Sequence, residues 1–414
     1  MHNGGCVKAA SVAISAFTAT TAVGRGHRAL LDALKTRRSG LKRYKARSDF
    51  ELDSAGPALD TWIGEVEGLQ SITLPEQWAR YDCRNNRLAW LGLQQDEFLT
   101  TARAAVERYG PARVAVIIGT STSGIEQAER AYRERDAEGH LPQSFSYATT
   151  LNNFSAPALV AHAVGATGPT FAISTACSSS AKVFAAAARL MRAGWIDAAV
   201  VGGVDSLCMT TLCGFSALEL LSRDPCRPYD AARSGISIGE GAGFALMEMR
   251  ADAPVYLLGA GESSDAHHMS TPHPQGLGAR LAMRGALSAA GLAPESIDYV
   301  NLHGTATRSN DSAEGRAVFD VLGSAASSST KGWFGHLLGA AGIVESIVAL
   351  LALENGFLPG TLNTTDVDPD CPNTVLLDNA TCDISVALSN SFGFGGSNCS
   401  VVFGREPSAQ SSLS

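Results

Sequence analysis

The sequence lacks the patterns that mark zinc sites, nucleic-acid binding and membrane insertion. Its 9 cysteines include no CxxC pair, and the closest two, Cys208 and Cys213, have no histidine beside them, so we expect neither a metal site nor a disulfide framework. A net charge of −8 argues against a nucleic-acid partner, because phosphate backbones attract basic surfaces. No apolar run approaches the ~20 residues of a membrane span, and the N-terminus shows no signal-peptide pattern. The chain is therefore predicted to be cytoplasmic.

What the sequence does contain is the alternation of an α/β fold. Hydrophobic residues make up 45% of the 414 positions, enough for a large core. Short β-branched runs at 113–120, 197–204 and 243–249 alternate with helical segments rich in small residues at 178–194 and 339–356. Continuously apolar strands of this kind are typical of sheets covered on both faces.

The same order of elements occurs twice along the chain. Each half has a strand ending in glycine, a Ser-Thr turn, a helix of small residues and a two-strand return. We therefore predict a five-layered α/β/α/β/α fold of two pseudo-duplicated halves forming one compact unit, with both Ser-Thr helices at its centre. The first half covers residues 1–250 and includes a helical cap at about 36–110; the second covers 251–414. Residues 205–240 are predicted to be rich in loops.

This arrangement would bring several reactive side chains together. Cys177 lies at the start of one central helix, where the helix dipole is expected to lower a thiol pKa. The matching turn of the second half carries Lys331 and His336, and His303 follows a strand end, where α/β folds tend to bind ligands. A lone cysteine before such a helix is usually a core residue. The coincidence at pseudo-symmetric positions favours a nucleophile.

Five motifs support this interpretation and point to a family. They are "TACSSS", "RPYDAARSGISIGEGAG", "HGTATRSND", "STKGWFGHLLGAAGIVES" and "NSFGFGGSN". In order and spacing they resemble the β-ketoacyl-[acyl-carrier-protein] synthases, the condensing enzymes of the thiolase-like superfamily, in the branch with two histidines. The resemblance covers roughly residues 7–404.

The resemblance implies a role for each matching residue. Cys177 would be the nucleophile that accepts an acyl group, and His303 and His336 would hold a malonyl thioester and assist its decarboxylation. The other residues that it implies are Lys331, with Glu345, Asp311 and Glu314 as a supporting network; Phe394, Phe392 and Gly395 as oxyanion cradle and gate; and Thr305 and Thr307 as phosphopantetheine contacts. It implies no cofactor, because the substrates travel on the phosphopantetheine of an acyl carrier protein.

Several positions depart from the common fatty-acid pattern. Thr122 falls where elongating enzymes often carry a chain-limiting isoleucine, and Phe334 falls where a threonine is usual, so both are expected to line the substrate pocket. Arg308, Asn310 and His267 also differ. The motifs around His303 and residues 225–240 resemble synthases of specialised pathways, which suggests a polyene, aryl-polyene or polyketide chain.

The expected partners are an acidic carrier protein and a second ketosynthase-like subunit. Arg80, Arg84 and Arg87, with the basic run 35–47, are the candidate docking residues, although a solvated surface is an equally good interpretation. Relatives form dimers, so either a homodimer or a heterodimer with a chain-length-factor-like partner is expected. A thiolase or a CoA-dependent starter synthase is a weaker alternative, because His336 occupies the second position. A chain-length factor itself would lack Cys177.

Overall fold

The computed structural model describes residues 12–45, 59–249 and 251–405. The strands in these ranges are β1 (Val12–Thr21), β2 (Gly24–Arg25), β3 (Leu41–Lys45), β4 (Asp60–Gly64), β5 (Val114–Gly119), β6 (Thr170–Ile173), β7 (Ala198–Asp205), β8 (Ile238–Gly239), β9 (Gly241–Glu248), β10 (Tyr256–Ser264), β11 (Tyr299–Asn301), β12 (Ala326–Ser328), β13 (Phe357–Leu358), β14 (Ala380–Thr381), β15 (Val386–Gly393) and β16 (Ser397–Gly404). The α-helices are α1 (His27–Lys35), α2 (Arg84–Leu93), α3 (Phe98–Tyr109), α4 (Ile125–Arg133), α5 (Ser155–Val164), α6 (Ser179–Arg192), α7 (Met209–Ala217), α8 (Leu277–Ala290), α9 (Arg308–Leu322), α10 (Lys331–Phe334) and α11 (Ala341–Asn355).

Each half of the chain builds a five-stranded sheet with the same pattern of pairing. The order is β6-β5-β7-β9-β1 in the first half and β12-β11-β15-β16-β10 in the second. In both, the first three strands pair in parallel and the last two pairings are antiparallel. The two sheets meet where β1 pairs with β10 through Val12–Leu257 and Ala13–Tyr256. The internal repetition in the sequence is therefore a repetition of topology.

The helices complete the layers. Helices α6 and α11 lie against each other between the two sheets, while α2, α3 and α5 cover the outer face of the first sheet and α8 and α9 cover that of the second. The predicted five-layered fold is confirmed. Small residues let the central helices approach closely: a Cβ built on Gly342 would stand 2.6 Å from the backbone nitrogen of Ala181.

Two parts of the sequence-based picture need correction. The region predicted as a helical cap also holds β3 and β4, and β4 pairs with β8; its helices α2 and α3 belong to the outer layer of the first sheet because their apolar faces pack on β1, β7 and β9. Residues 46–58 of that region lie outside the described residues. The loop-rich region 205–240 contains α7 as well.

Among the described residues, one apolar stretch is long enough to cross a bilayer, which corrects the expectation that no run approaches this length. It spans Leu338–Asn355 and has 89% of its residues buried inside the fold. This stretch contains α11, whose sides all contact protein at the centre of the five layers, and its apolar character therefore follows from its place in the core.

Candidate active site

A cavity of about 200 Å³ opens between the two halves, and Cys177 lies in its wall. Both histidines identified from the sequence, His303 and His336, line the same cavity. Chain segments from both halves contribute, because Cys177 precedes α6 whereas the histidines follow β11 and α10. The structure therefore brings together the three side chains that the sequence singled out.

Cys177 sits on a sharp turn between β6 and α6. Helix α6 begins at Ser179, and the residue before the cysteine, Ala176, has a left-handed φ of 52°. The turn is held by the neighbouring hydroxyls, since Ser178 Oγ donates to Thr175 O at 2.9 Å and Ser179 Oγ accepts from Thr175 N at 2.9 Å. A strained backbone that its surroundings hold in place is common at reactive residues.

The sulfur of Cys177 contacts His336. Its Sγ lies 3.0 Å from His336 Nε2, and the rings of His336 and His303 have centroids 5.4 Å apart at an interplanar angle of 83°. The backbone N–H of Leu338 donates to His336 Nδ1 at 3.2 Å. Because an N–H can only donate, Nδ1 is the acceptor, and the proton of the neutral ring lies on Nε2, facing the sulfur.

Lys331 and Glu345 form a buried pair behind His303. Lys331 Nζ bonds to a Glu345 carboxylate oxygen and to the carbonyl of His303, and it lies 3.4 Å from His303 Nδ1. An ammonium group offers only donors, so Nδ1 of His303 accepts and its proton also lies on Nε2. Burial raises the pKa of Glu345 to about 7.

Glu314 and Asp311 fix the backbone around His303. The carboxylate of Glu314 accepts from the backbone N–H groups of His303 and Gly304, both at 2.8 Å. Asp311 accepts from the backbone N–H of Tyr229 at 2.8 Å and forms an ion pair with the buried Arg233. Burial raises the pKa of both carboxyl groups. The network predicted around the histidines therefore exists as a set of contacts.

Burial controls the charge of the three central groups. It lowers the pKa of His303 and of His336 well below 6.5, and the nearby Lys331 acts in the same direction. Burial also raises the pKa of Cys177 to about 11, although Lys331 and the backbone N–H of Phe394 favour the thiolate. The prediction that the helix dipole lowers this pKa is wrong, because desolvation of the sulfur outweighs the favourable contacts.

The glycine-rich turn forms one rim of the cavity. Phe392, Phe394 and Gly395 all line it, and the Phe394 ring packs against Phe215 with centroids 5.8 Å apart. Gly395 has a φ of 81°, a conformation that favours glycine, and its N–H donates to Met269 O at 2.7 Å.

Thr305 and Thr307 also line the cavity, and their hydroxyl groups are 2.8 Å apart. All five of the residues that the sequence assigned to the gate and to the phosphopantetheine contact therefore reach the cavity.

Two residues expected at the substrate pocket lie elsewhere. Thr122 is buried and its hydroxyl donates to Asp205 at 2.8 Å, and Phe334 is enclosed in the main hydrophobic core; neither lines the cavity. The prediction failed because the position of a residue beside a motif does not reveal which way its side chain points. Both side chains face the interior of the protein.

The candidate docking arginines differ in their availability. Arg84 is committed to the buried Glu240 at 2.6 Å and Arg87 to Asp82 at 2.5 Å, whereas Arg80 is exposed and stacks on Tyr81. Within the basic run, Lys35 lies over the ring of Phe357. Five other cations contact acidic side chains, in the pairs Arg37–Asp378, Arg38–Asp32, Lys42–Glu65, Arg43–Asp60 and Lys45–Asp60. Neighbouring carboxylates thus neutralise much of the described surface that the sequence proposed for docking. Arg47 lies outside the described residues, and the docking surface stays a prediction.

Other residues at the site escaped the sequence analysis. Phe215 and His268 line the cavity, Arg233 is fully enclosed, and Asp205 is buried at the end of β7. A carboxylate directly after the apolar run 198–204 was the one available signal, because strand ends in α/β folds point toward ligand sites.

The Cys177, His303 and His336 ligand atoms also satisfy the spacing of a metal site, since they lie within 4.8 Å of one another. However, Lys331 Nζ stands beside His303, and a positive charge there opposes a second cation. The electrostatics of the site therefore favour an electron-rich substrate over a metal ion.

Comparison with known proteins identifies the family. The model of the beta-ketoacyl synthase N-terminal domain matches residues 9–253, and that of the C-terminal domain matches residues 255–365. The chain belongs to the beta-ketoacyl synthase family. This membership confirms the resemblance inferred from the motifs, and it makes the chain a condensing enzyme of the acyltransferase class.

Relatives of known name cover most of the chain. Nodulation protein E of Rhizobium meliloti is 32% identical over 396 residues, which are 90% of this chain and 96% of that protein. The 3-oxoacyl-[acyl-carrier-protein] synthase 2 of Staphylococcus aureus is 34% identical over 309 residues, 70% of this chain and 77% of the relative. The structure of the ketosynthase ApeO in complex with its chain length factor ApeC from Xenorhabdus doucetiae has a TM-score of 0.85 at 33% identity, covering 95% of this chain and 98% of that one.

Proposed function

We propose that this ketosynthase extends a carrier-bound acyl chain by two carbons, through decarboxylative Claisen condensation with malonyl-[acyl-carrier protein]. The observation that carries the proposal is the 3.0 Å contact between Cys177 Sγ and His336 Nε2, with His303 opposite, in the wall of the cavity. A thiol beside two neutral imidazoles can hold an acyl group and an enolate in one place.

In the first half-reaction, Cys177 accepts the acyl group. Its sulfur forms a bond to the acyl carbonyl carbon, the bond from that carbon to the phosphopantetheine sulfur breaks, and the thiol proton goes to the departing sulfur. The backbone N–H groups of Cys177 and Phe394 act as the oxyanion hole. The effect of the Phe394 N–H in stabilising negative charge on the sulfur supports this role.

In the second half-reaction, malonyl thioester is decarboxylated. The bond to its carboxylate breaks, carbon dioxide leaves, and the enolate oxygen accepts hydrogen bonds from Nε2–H of His303 and His336. The enolate carbon then attacks the acyl carbonyl, the bond to the Cys177 sulfur breaks, and the thiolate takes up a proton from water. The Nε2–H tautomers, which Leu338 and Lys331 favour, suit this role.

The surrounding residues support these steps. Lys331 and Glu345 keep His303 oriented, while Glu314 holds the backbone of His303 and Asp311 holds that of Tyr229. Thr305 and Thr307 are proposed to hydrogen-bond the phosphopantetheine arm, since their hydroxyl groups lie on the cavity rim. No cofactor is needed for this chemistry, and the whole reaction is proposed to take place in the cytoplasm.

The carrier protein and a second ketosynthase-like subunit are the proposed partners. Strand β6 ends the path of the first sheet, and Tyr132, Tyr147 and Phe154 nearby are 54–62% exposed. An apolar surface beside an open sheet edge suits a second subunit. The similarity to ApeO, whose structure includes its chain length factor, favours a heterodimer over a homodimer.

A specialised polyene, aryl-polyene or polyketide chain is the proposed substrate. The support comes from the motifs "HGTATRSND" and "PCRPYDAARSGISIGE" and from the similarity to ApeO. Because Thr122 and Phe334 lie away from the cavity, they contribute nothing to this choice.

A panel of acyl-carrier thioesters tests the function. The protein, alone and with its co-expressed partner, is incubated with each acyl carrier and with malonyl carrier, and the 3-oxoacyl product is measured by mass spectrometry. We expect product formation, with polyunsaturated chains used faster than saturated ones. Equal rates would contradict the substrate proposal.

Active-site variants test the residue roles. We expect Cys177→Ala to lose the acyl adduct, and His303→Ala to keep the adduct while losing condensation. An enzyme in which Cys177→Ala still becomes acylated would contradict the assignment of the nucleophile.

A further inference from the structure

Asp205 is a buried carboxylate to which neither the motifs nor the proposed reaction assigns a role. It lies at the end of β7 with no exposed surface, and among the described residues no lysine or arginine pairs with it. Five neutral donors satisfy it instead: Thr120 Oγ1, Ser121 N, Thr122 N, Thr122 Oγ1 and Gly339 N. A buried carboxylate is costly, so a site that satisfies one so fully has a structural or functional reason to hold it.

The donors come from both halves of the protein. Thr120, Ser121 and Thr122 follow β5 in the first half, whereas Gly339 belongs to the second half, three residues after His336. The N–H of Gly339 donates to Asp205 Oδ2 at 2.6 Å. A Cβ at Gly339 would lie 2.8 Å from that oxygen and 2.6 Å from Ser121 Oγ, so glycine is required for this approach.

The segment that Asp205 holds also determines the tautomer of His336. Leu338, directly before Gly339, has a left-handed φ of 54°, and its N–H donates to His336 Nδ1. A bulky residue in this conformation is strained, and the bond from Gly339 to Asp205 is one of the contacts that hold it there.

Asp205 is linked to the cysteine turn as well. Ser121, whose N–H bonds to Asp205, donates its own hydroxyl to the carbonyl of Ala176 at 3.4 Å, and Ala176 precedes Cys177. The carboxylate therefore stands where the loops that carry the sulfur and the imidazole meet.

We propose that Asp205 is a positioning residue for the reaction: it holds the turn 337–339 so that the proton of His336 lies on Nε2, facing Cys177. This inference rests on the proposed role of His336. Loss of the carboxylate frees the Leu338 N–H, lets the proton move to Nδ1, and removes a hydrogen-bond donor from the enolate.

The test is a double-mutant cycle of Asp205→Asn and His336→Ala. Asparagine keeps the shape of the side chain, but its NH₂ group faces backbone donors. Decarboxylation of malonyl carrier is measured for both single variants and the double variant, together with the acyl adduct at Cys177 and the melting temperature. Asp230→Asn is the matched control, because Asp230 is buried and also accepts backbone N–H bonds, from Thr365 and Asp366, but it contacts neither loop.

We expect Asp205→Asn to lower decarboxylation about tenfold or more in the parent, while acylation of Cys177 persists, and to have no further effect once His336 is alanine. Asp205→Glu should restore part of the rate. An equal loss in both backgrounds, or a loss matched by Asp230→Asn, would overturn the proposal and leave the proposed reaction intact. If His336→Ala itself decarboxylates at the parent rate, the proposed reaction fails instead.

A direct measurement of the tautomer complements the cycle. Histidine nitrogen NMR on ¹⁵N-His protein, with the His336 signal identified by its loss in His336→Ala, should report the Nε2–H form in the parent and a mixture in Asp205→Asn. If Asp205→Asn does not fold, Thr122→Val removes one of the five donors and should shift the signal in the same direction. An unchanged signal in a folded variant would contradict the proposal.

Discussion

The two imidazoles at the cavity are neutral, whereas the lysine behind them is charged, and the two kinds of group have different roles. The buried Lys331 stands behind His303 and, with burial, keeps both rings neutral, while the rings point their Nε2–H groups into the space beside Cys177. Neutral donors suit an enolate, because they stabilise its oxygen and do not have to return a proton when the carbon attacks.

The lowered pKa values predict an unusual pH profile. A histidine with a pKa well below 6.5 remains neutral as the pH falls through 6.5, so we expect the two histidines to cause no loss of decarboxylation of malonyl carrier between pH 8 and 6.5. Glu345, whose pKa burial raises to about 7, is the group expected to titrate in that range. Removal of the Lys331 charge takes away one cause of the lowered pKa. In Lys331→Met the acid-side loss should therefore move to higher pH.

The pH–rate profiles of the parent and of Lys331→Met check this expectation. Lys331→Met leaves the carboxylate of Glu345 unpaired in the core. If the protein unfolds for that reason alone, the double variant Lys331→Met/Glu345→Gln replaces the single one in the measurement. A profile that declines around pH 6.5 both in the parent and in Glu345→Gln would contradict the prediction.

The buried Arg233 allows a prediction about the stability of the protein. It is enclosed between Asp311 and Asp368, and both ion pairs are buried. Arg233→Met leaves Asp311 without its cation, so we expect the free energy of unfolding to fall by about 3–5 kcal/mol. Arg43→Met, which breaks an exposed pair with Asp60, should cost far less, because solvent and salt screen an exposed pair. Urea unfolding measures the free energy of unfolding of both variants, and equal losses of that free energy would contradict the prediction.

The reactive residues could be predicted from the sequence, but the residues that position them could be predicted only in part. Cys177, His303 and His336 occur in motifs whose order along the chain is enough to identify them. The hydrogen bond between Asp205 and Gly339 joins residues 134 positions apart, and no local pattern in the sequence indicates it. The error over the Cys177 pKa has the same origin, because the degree of burial depends on packing from both halves.

At the scale of elements, the two central helices set the distance between sulfur and imidazole. Helix α6 follows Cys177, and α11 begins five residues after His336. Their periodicity of small residues was visible in the sequence. The first strands of the two halves, β1 and β10, were not recognised, because Thr, Ala, Gly and Ser dominate them and their pairing with each other spans more than 240 positions.

A pair of glycines tests the packing of these helices. In α11, a Cβ at Gly342 would stand 2.6 Å from Ala181 N and 2.9 Å from Ser391 Oγ, so Gly342→Ala should push the helices apart and cost about 1–3 kcal/mol of stability. In α7, a Cβ at Gly214 meets nothing within 4 Å, so Gly214→Ala should gain up to about 1 kcal/mol from helix propensity. Thermal unfolding measures the stability of both variants. A Gly342→Ala variant more stable than the parent would contradict the close packing of the two helices.

On the scale of the whole molecule, the two halves place reactive groups where neither could do so alone. Cys177 belongs to the first half and both histidines to the second, and within the described residues the sheets are joined by the short pairing of β1 with β10. Helices α6 and α11 add a central contact between the halves, and side-chain links such as Asp205 with Gly339 and Arg233 with Asp311 add others. A catalytic site at such a junction depends on the rigidity of the entire fold.

The edge of the first sheet provides the last prediction, which concerns assembly. Strand β6 has a partner, β5, on one side, and Tyr147 and Phe154 on the neighbouring elements are 62% and 54% exposed. A second subunit there would bury these rings, so Phe154→Asp should place a charge in the interface and dissociate the proposed dimer. Phe319→Asp is the matched control, because Phe319 is 50% exposed but lies on α9, in the outer layer of the second half. Light scattering after size-exclusion chromatography gives the mass of each variant, with and without the co-expressed partner. If Phe319→Asp dissociates the dimer and Phe154→Asp does not, the interface lies on the other half of the molecule.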